Sequence, residues 1–154
     1  MTLSIGDKAP AFTLETDTEG TISLKDLKGQ KVVLYFYPKD NTPGCTKQAI
    51  GFTDELKAFA KAGAKIIGVS KDSLQKHANF RAKQGLKLAL GSDPDGIVLE
   101  AYGVWVEKKL YGRQYMGIER STFLIDEKGK IGDIWRKVRV AGHVDKVLDA
   151  VKAL

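Results

Sequence analysis

The chain has 154 residues, 43% of them hydrophobic, and a net charge of +6 from 25 Lys and Arg against 19 Asp and Glu. That length and balance fit one globular domain over residues 1–154, and no apolar run nears the ~18 to 20 residues of a membrane-spanning helix. A single cysteine, Cys45, excludes an internal disulfide, and with only His77 and His143 beside it the usual zinc-ligand spacings are excluded too.

Met1–Asp7 has neither a basic region nor an apolar one, so a cytoplasmic protein without a membrane anchor is expected. The cations are scattered among acids rather than massed, which argues against nucleic-acid binding. The densest basic stretch, Arg136–Arg139, is expected to be the wet face of a strand.

In chain order, Ala11–Leu14 and Gly20–Leu24 flank the polar turn Thr16–Glu19 and predict a small hairpin at a sheet edge. Lys31–Tyr37 is β-branched and aromatic without alternation, as in a strand buried on both faces, and Pro38 stops it. After a polar loop, Ala49, Phe52, Leu56 and Phe59 recur at helical spacing, predicting one helix from Cys45 to Lys61 whose inward stripe starts at the cysteine. A second central strand at Ala64–Ser70, a helix at Ser73–Gln84 and a short apolar piece at Leu86–Leu90 follow, with Asp93–Gly96 as a turn. Trp105, Tyr111 and Tyr115 are expected to form a packed aromatic lid over a loop. Ser121–Ile125 and Lys130–Trp135 bracket Asp126–Gly129 as an antiparallel hairpin, and Val144, Val147, Leu148, Val151 and Leu154 stripe a C-terminal helix. The alternation of strands and helices predicts an α/β fold, a central mixed sheet flanked by helices.

Glycine-rich phosphate loops, GxSxG, HExxH and CxxC are all absent, which leaves Cys45 as the candidate for chemistry. It falls at a strand-to-helix junction, where free N–H groups and the positive end of the helix dipole stabilise an anion such as a thiolate. Thr42 can hydrogen-bond in the same loop, and Pro43 restricts it.

Pro38-Lys39-Asp40-Asn41-Thr42-Pro43-Gly44-Cys45 resembles the Pro-x3-Thr-x2-Cys active-site motif of peroxiredoxins, and its TPGCT form is similar to the bacterioferritin-comigratory-protein, or Q-type, branch. Gly6–Phe12, Ser92–Gly96 and Tyr102–Trp105, through Gly117–Asp126, extend the resemblance over nearly the whole chain. The resemblance implies a thioredoxin-like fold with an N-terminal hairpin. It implies that Cys45 is the peroxidatic thiol, that Thr42 orients the peroxide, that Pro38, Pro43 and Gly44 line the pocket with Pro43 shielding the sulfur, and that Arg120 supplies the adjacent positive charge. Metal and organic cofactors are not required. A planar guanidinium with the Cys45 N–H could hold peroxide oxygens in line for attack.

Many relatives in that branch carry a second cysteine five residues after the first, where this chain has Ile50, and Gln48 replaces a frequent glutamate. Five helical residues separate Cα atoms by about 8 to 9 Å, more than the ~7 Å limit of a disulfide, so a cysteine at 50 could reach Cys45 only if the first helical turns opened. With no second thiol, a sulfenic acid on Cys45 must be resolved by an external thiol. The expected protein is a monomeric one-cysteine peroxidase that reduces hydrogen peroxide or organic hydroperoxides and is regenerated by thioredoxin, glutaredoxin or glutathione. The rival expectations are a peroxide sensor that passes on the oxidised state of Cys45, and an inert scaffold.

Overall fold

A computed structural model describes residues 2–154. The expected N-terminal hairpin forms as Thr13–Thr16 (β1) and Thr21–Ser23 (β2). A short 3-10 helix at Leu24–Leu27 leads to the strand Lys31–Phe36 (β3). Next come the helices Pro43–Asp54 (α1) and Leu56–Lys61 (α2), then Ala64–Ser70 (β4) and Leu74–Gln84 (α3). Ala89–Ser92 (β5) is followed by the one-turn helix Ile97–Ala101 (α4), and Trp105–Leu110 (β6) pairs with Arg113–Ile118 (β7). Ser121–Ile125 (β8), Ile131–Trp135 (β9) and His143–Ala153 (α5) complete the chain.

Seven strands form one mixed sheet in the order β2-β1-β5-β4-β3-β8-β9, while β6 and β7 stand apart as a ribbon of two. β3, β4 and β5 run parallel, and each parallel step crosses over through helices. Right-handed crossovers in one direction put their helices on one face. α1, α2 and α3 accordingly bury Phe52, Phe59 and Phe80 in the same core as Val147 and Val151 of α5. Along β3 the pleat sends Val33 and Tyr35 to that face and sends Val32, Leu34 and Phe36 to the other, where Leu99 of α4 and Tyr102 pack. Each such side chain contributes about 1.5 to 3 kcal/mol of burial free energy.

Local chemistry sets most boundaries. The Ser73 hydroxyl accepts the Lys76 N–H at the start of α3, and Gly85, left-handed at φ 65°, ends it. Gly129, at φ 85°, closes the β8–β9 turn.

Four expectations need correction. The helix expected from Cys45 to Lys61 begins two residues earlier and bends at Glu55 into α1 and α2, although Glu55 N–H still bonds the Gly51 carbonyl (3.2 Å). The apolar piece Leu86–Leu90 joins the ladder only from Ala89, because the Arg81 guanidinium takes the carbonyls of Leu86 and Leu88. Trp105, Tyr111 and Tyr115 form no lid: Tyr111 is 96% exposed at the tip of the β6–β7 ribbon, Tyr115 is exposed on it, and only Trp105 packs on the core. Arg136–Arg139 is loop rather than strand; Arg136 lies over the Phe123 ring and Lys137 has a positive φ of 48°.

Gly68 is a close-approach glycine, since a Cβ there would lie 2.7 Å from the Tyr35 ring, which itself stacks on Phe52 at 4.7 Å. Gly68→Ala should therefore destabilise the protein by about 1 to 3 kcal/mol in urea unfolding. A neutral outcome would show that the Tyr35 ring can move aside.

His143 opens α5 with Nε2 2.8 Å from the Thr122 hydroxyl and with the rings of Trp135 and Phe52 edge-on around it. Burial, with the charges of Lys146 and Arg120, pushes its pKa down to about 4. The folded state thus keeps His143 neutral where the unfolded chain takes up a proton near pH ~6.5, so the stability it contributes is present above that pH and lost as pH falls toward 4. Urea titrations should show stability falling between about pH 6.5 and 5, above the carboxylate range, and a shallower slope in His143→Gln. Identical slopes would assign the acid sensitivity to other groups.

Candidate active site

β3 ends with Phe36 paired to Val69 on one side and Ser121 on the other, so the loop leaving it emerges beside the beginning of β8. In that loop Asn41 takes a left-handed φ of 63°, which asparagine tolerates, and the Thr42 hydroxyl donates to the Lys39 carbonyl (2.9 Å). Thr42 then caps α1 through its backbone, its carbonyl accepting the Thr46 N–H (2.9 Å). Pro43 fills the first helical position, where a missing N–H costs nothing. The N–H groups of Gly44 and Cys45 lie in the helix's first turn, where no preceding carbonyl can satisfy them.

Cys45 is 2% exposed and shares the inward face of α1 with Gln48, Ala49 and Phe52. Arg120, immediately before β8, reaches across: Nη2 lies 3.3 Å from Cys45 Sγ and Nη1 donates to Gln48 Oε1 at 2.6 Å. Gly44 permits this approach, because a Cβ there would meet Nη2 at 3.1 Å. The Arg120 carbonyl accepts the Val138 N–H (3.0 Å), so the loop after β9 steadies the residue from behind. Neither Glu119 nor Asp126 pairs with the guanidinium.

The site is strongly polarised. Lys108 of β6 is shifted below the usual lysine value by burial and by the charge of Arg120. Tyr35 is pushed up chiefly by burial, which keeps its buried, unpartnered hydroxyl protonated. A guanidinium beside the sulfur, with the free N–H groups of the helix's first turn, can stabilise a thiolate and hold oxygens against it.

Gly44, Cys45 and Arg120 thus come together, Thr42 caps the same helix with its hydroxyl turned to Lys39, Pro43 is exposed at the first helical position, Pro38 is half-buried at the strand exit, and Ile50 packs half-buried on the flank of the α1 cluster. Sequence reasoning missed Gln48 as the Arg120 acceptor, Lys108 and the Val138 brace, none of which carries a local signal. It also missed a buried network in which Asp40, Asp72 and His77 bring ligand-type atoms within 4.8 Å of one another. Those atoms already bond protein groups. A broad surface hollow lined by Ile22, Leu27, Ala64 and Ala89 lies at the amino ends of the parallel strands, away from Cys45 at their carboxyl ends. Among the described residues no helix is long and apolar enough to cross a membrane.

Residues 5–134 match the AhpC/TSA family. The putative peroxiredoxin bcp of Coxiella burnetii is 54% identical over 96% of this chain and 98% of its own, and the peroxiredoxin Bcp of Bacillus subtilis is 50% identical over 99% and 97%. The solved structure of the Xanthomonas campestris bacterioferritin comigratory protein superposes with a TM-score of 0.88 at 48% identity, covering 92% of this chain and 90% of that one. The mixed sheet with its flanking helices is the thioredoxin-like arrangement that the resemblance implied. A family match over most of the chain, with relatives about half identical and covered almost end to end, makes this protein a member of the AhpC/TSA family, akin to the Bcp peroxiredoxins.

Proposed function

We propose that residues 1–154 act as one domain, a one-cysteine thiol peroxidase that reduces hydrogen peroxide and small organic hydroperoxides. The observation that carries the reading is the Arg120 guanidinium 3.3 Å from a sulfur at the amino end of a helix. Alkyl peroxide reduction is described for the similar Xanthomonas protein. The Cys45 thiolate attacks one peroxide oxygen; an S–O bond forms, the O–O bond breaks, and the departing alkoxide or hydroxide takes a proton to leave as alcohol or water. The Cys45 N–H, the Thr42 hydroxyl and the Arg120 fork hold the peroxide in line. Pro38, Pro43 and Gly44 shape the approach and limit water near the sulfur.

Cys45 is left as a sulfenic acid, and no second cysteine exists to condense with it. An external thiol from thioredoxin, glutaredoxin or glutathione attacks its sulfur and releases water, and a further thiol frees Cys45 from the mixed disulfide. The chain works as a monomer in the cytoplasm, where such thiols are kept reduced.

Two outcomes are expected. Peroxide consumption should be catalytic with at least one of thioredoxin, glutaredoxin, glutathione or dithiothreitol, whereas strictly stoichiometric loss with all of them would make the protein a sensor. Arg120→Lys should slow the single-turnover reaction with peroxide by on the order of 10²-fold although charge is retained, because an ammonium cannot bond Cys45 and Gln48 together as the planar fork does. Undiminished reaction in the lysine variant would show that charge alone suffices.

A further inference from the structure

His77 and Asp40 lie outside the contacts of the sulfur, yet their polar side-chain atoms are all engaged. His77, fully buried on α3, sets Nδ1 2.7 Å from Asp40 Oδ2 and Nε2 2.9 Å from the Gly91 carbonyl of β5. A carbonyl only accepts, so Nε2 carries a proton, and the carboxylate facing Nδ1 accepts the other. Asp40 in turn accepts the Tyr37 hydroxyl (2.6 Å) on its second oxygen and donates its N–H to Asp72 Oδ2 (2.8 Å), which also accepts the Ser70 hydroxyl (2.8 Å). Burial by itself would discharge the ring, but the bond and charge of Asp40, the Gly91 carbonyl and the charge of Asp72 outweigh it and raise the pKa of His77 above its ordinary value. The groups facing the ring are Asp40, Asp72 and the Tyr37 hydroxyl; Arg81, one turn further along α3, is engaged by Asp17.

This network matters for its place in the chain. Asp40 sits between the end of β3 and the Thr42 cap of α1, in the segment that delivers Cys45 to Arg120. We propose that His77 is a positioning residue for Cys45: its imidazolium clamps Asp40 between α3 and β5, and so fixes the loop that sets the first turn of α1 and the reach of the sulfur to Arg120. The inference rests on the peroxidase reading of Cys45 for its catalytic consequence, and on geometry alone for the clamp.

The test compares the wild type with Asp40→Asn, which keeps the shape and the acceptor for Tyr37, and with His77→Gln, which can serve only one of the two acceptors. At pH ~8, where a free imidazole is neutral, imidazole nitrogen NMR should show both His77 nitrogens protonated in the wild type and only one in Asp40→Asn. Amide exchange across residues 38–46 should accelerate in both variants relative to β8 and α5. Single-turnover oxidation of Cys45 by hydrogen peroxide should slow by on the order of 10- to 100-fold, as expected when a reacting atom is displaced by about an ångström. A singly protonated ring in the wild type, unchanged exchange at 38–46, or acceleration spread evenly over the protein would overturn the clamp. A wild-type Cys45 inert to peroxide would sink the peroxidase reading, while the exchange and ring measurements would still decide the clamp.

Discussion

Because β8 runs antiparallel to β3 with Ser121 opposite Phe36, the residue that precedes β8 is delivered over the loop that follows β3. Arg120 and Cys45 are 75 residues apart in the chain, and that strand pairing closes the gap. The same pairing seats α1 from a second side. Thr122, buried on β8, bonds His143 at the head of α5, and the next residue, Val144, sits where a Cβ on Gly51 of α1 would be only 3.0 Å away. A slip of one residue between β3 and β8 would turn Thr122 to the opposite face and displace both the guanidinium and the helix it faces.

The two histidines are pushed in opposite directions by their partners. His143 meets a hydroxyl, aromatic edges and nearby cations, so it stays neutral. His77 meets a carbonyl, a carboxylate and a second carboxylate behind the first, so its pKa is raised despite complete burial. The sheet therefore carries a ring held neutral at the head of α5, and a second ring bonded to a carboxylate in the loop that precedes α1.

Much of this was legible in the chain. β4 has the bounds its apolar run predicts, α3 starts one residue after the predicted Ser73 because serine caps rather than enters, and the turn at Asp126–Gly129 follows from its glycine. Cys45, Thr42 and Arg120 were singled out through a motif and a resemblance, and the structure brings the guanidinium of Arg120 to the sulfur of Cys45. What stayed hidden depends on tertiary partners. Arg81 withdraws two carbonyls from β5, which no local pattern records. The ribbon reads Glu107-Lys108-Lys109 where a half-buried strand would alternate, because it lies off the main sheet with little to bury. Asp40 looked like a polar loop residue, and only the return of α3 and β5 to the same place makes it a buried, fully bonded side chain.

That separate ribbon leaves the protein with a division of labour between frame and fringe. The pairing of β3 with β8 cannot slip without moving Arg120, whereas β6 and β7 pair only with each other, and the Leu110–Arg113 turn projects with Tyr111 almost wholly in water. Tip residues could be inserted or deleted there without disturbing the pairing of the main sheet. The part of the molecule most free to vary in length is thus the ribbon, while the spacing from guanidinium to thiol is pinned by the register of the frame.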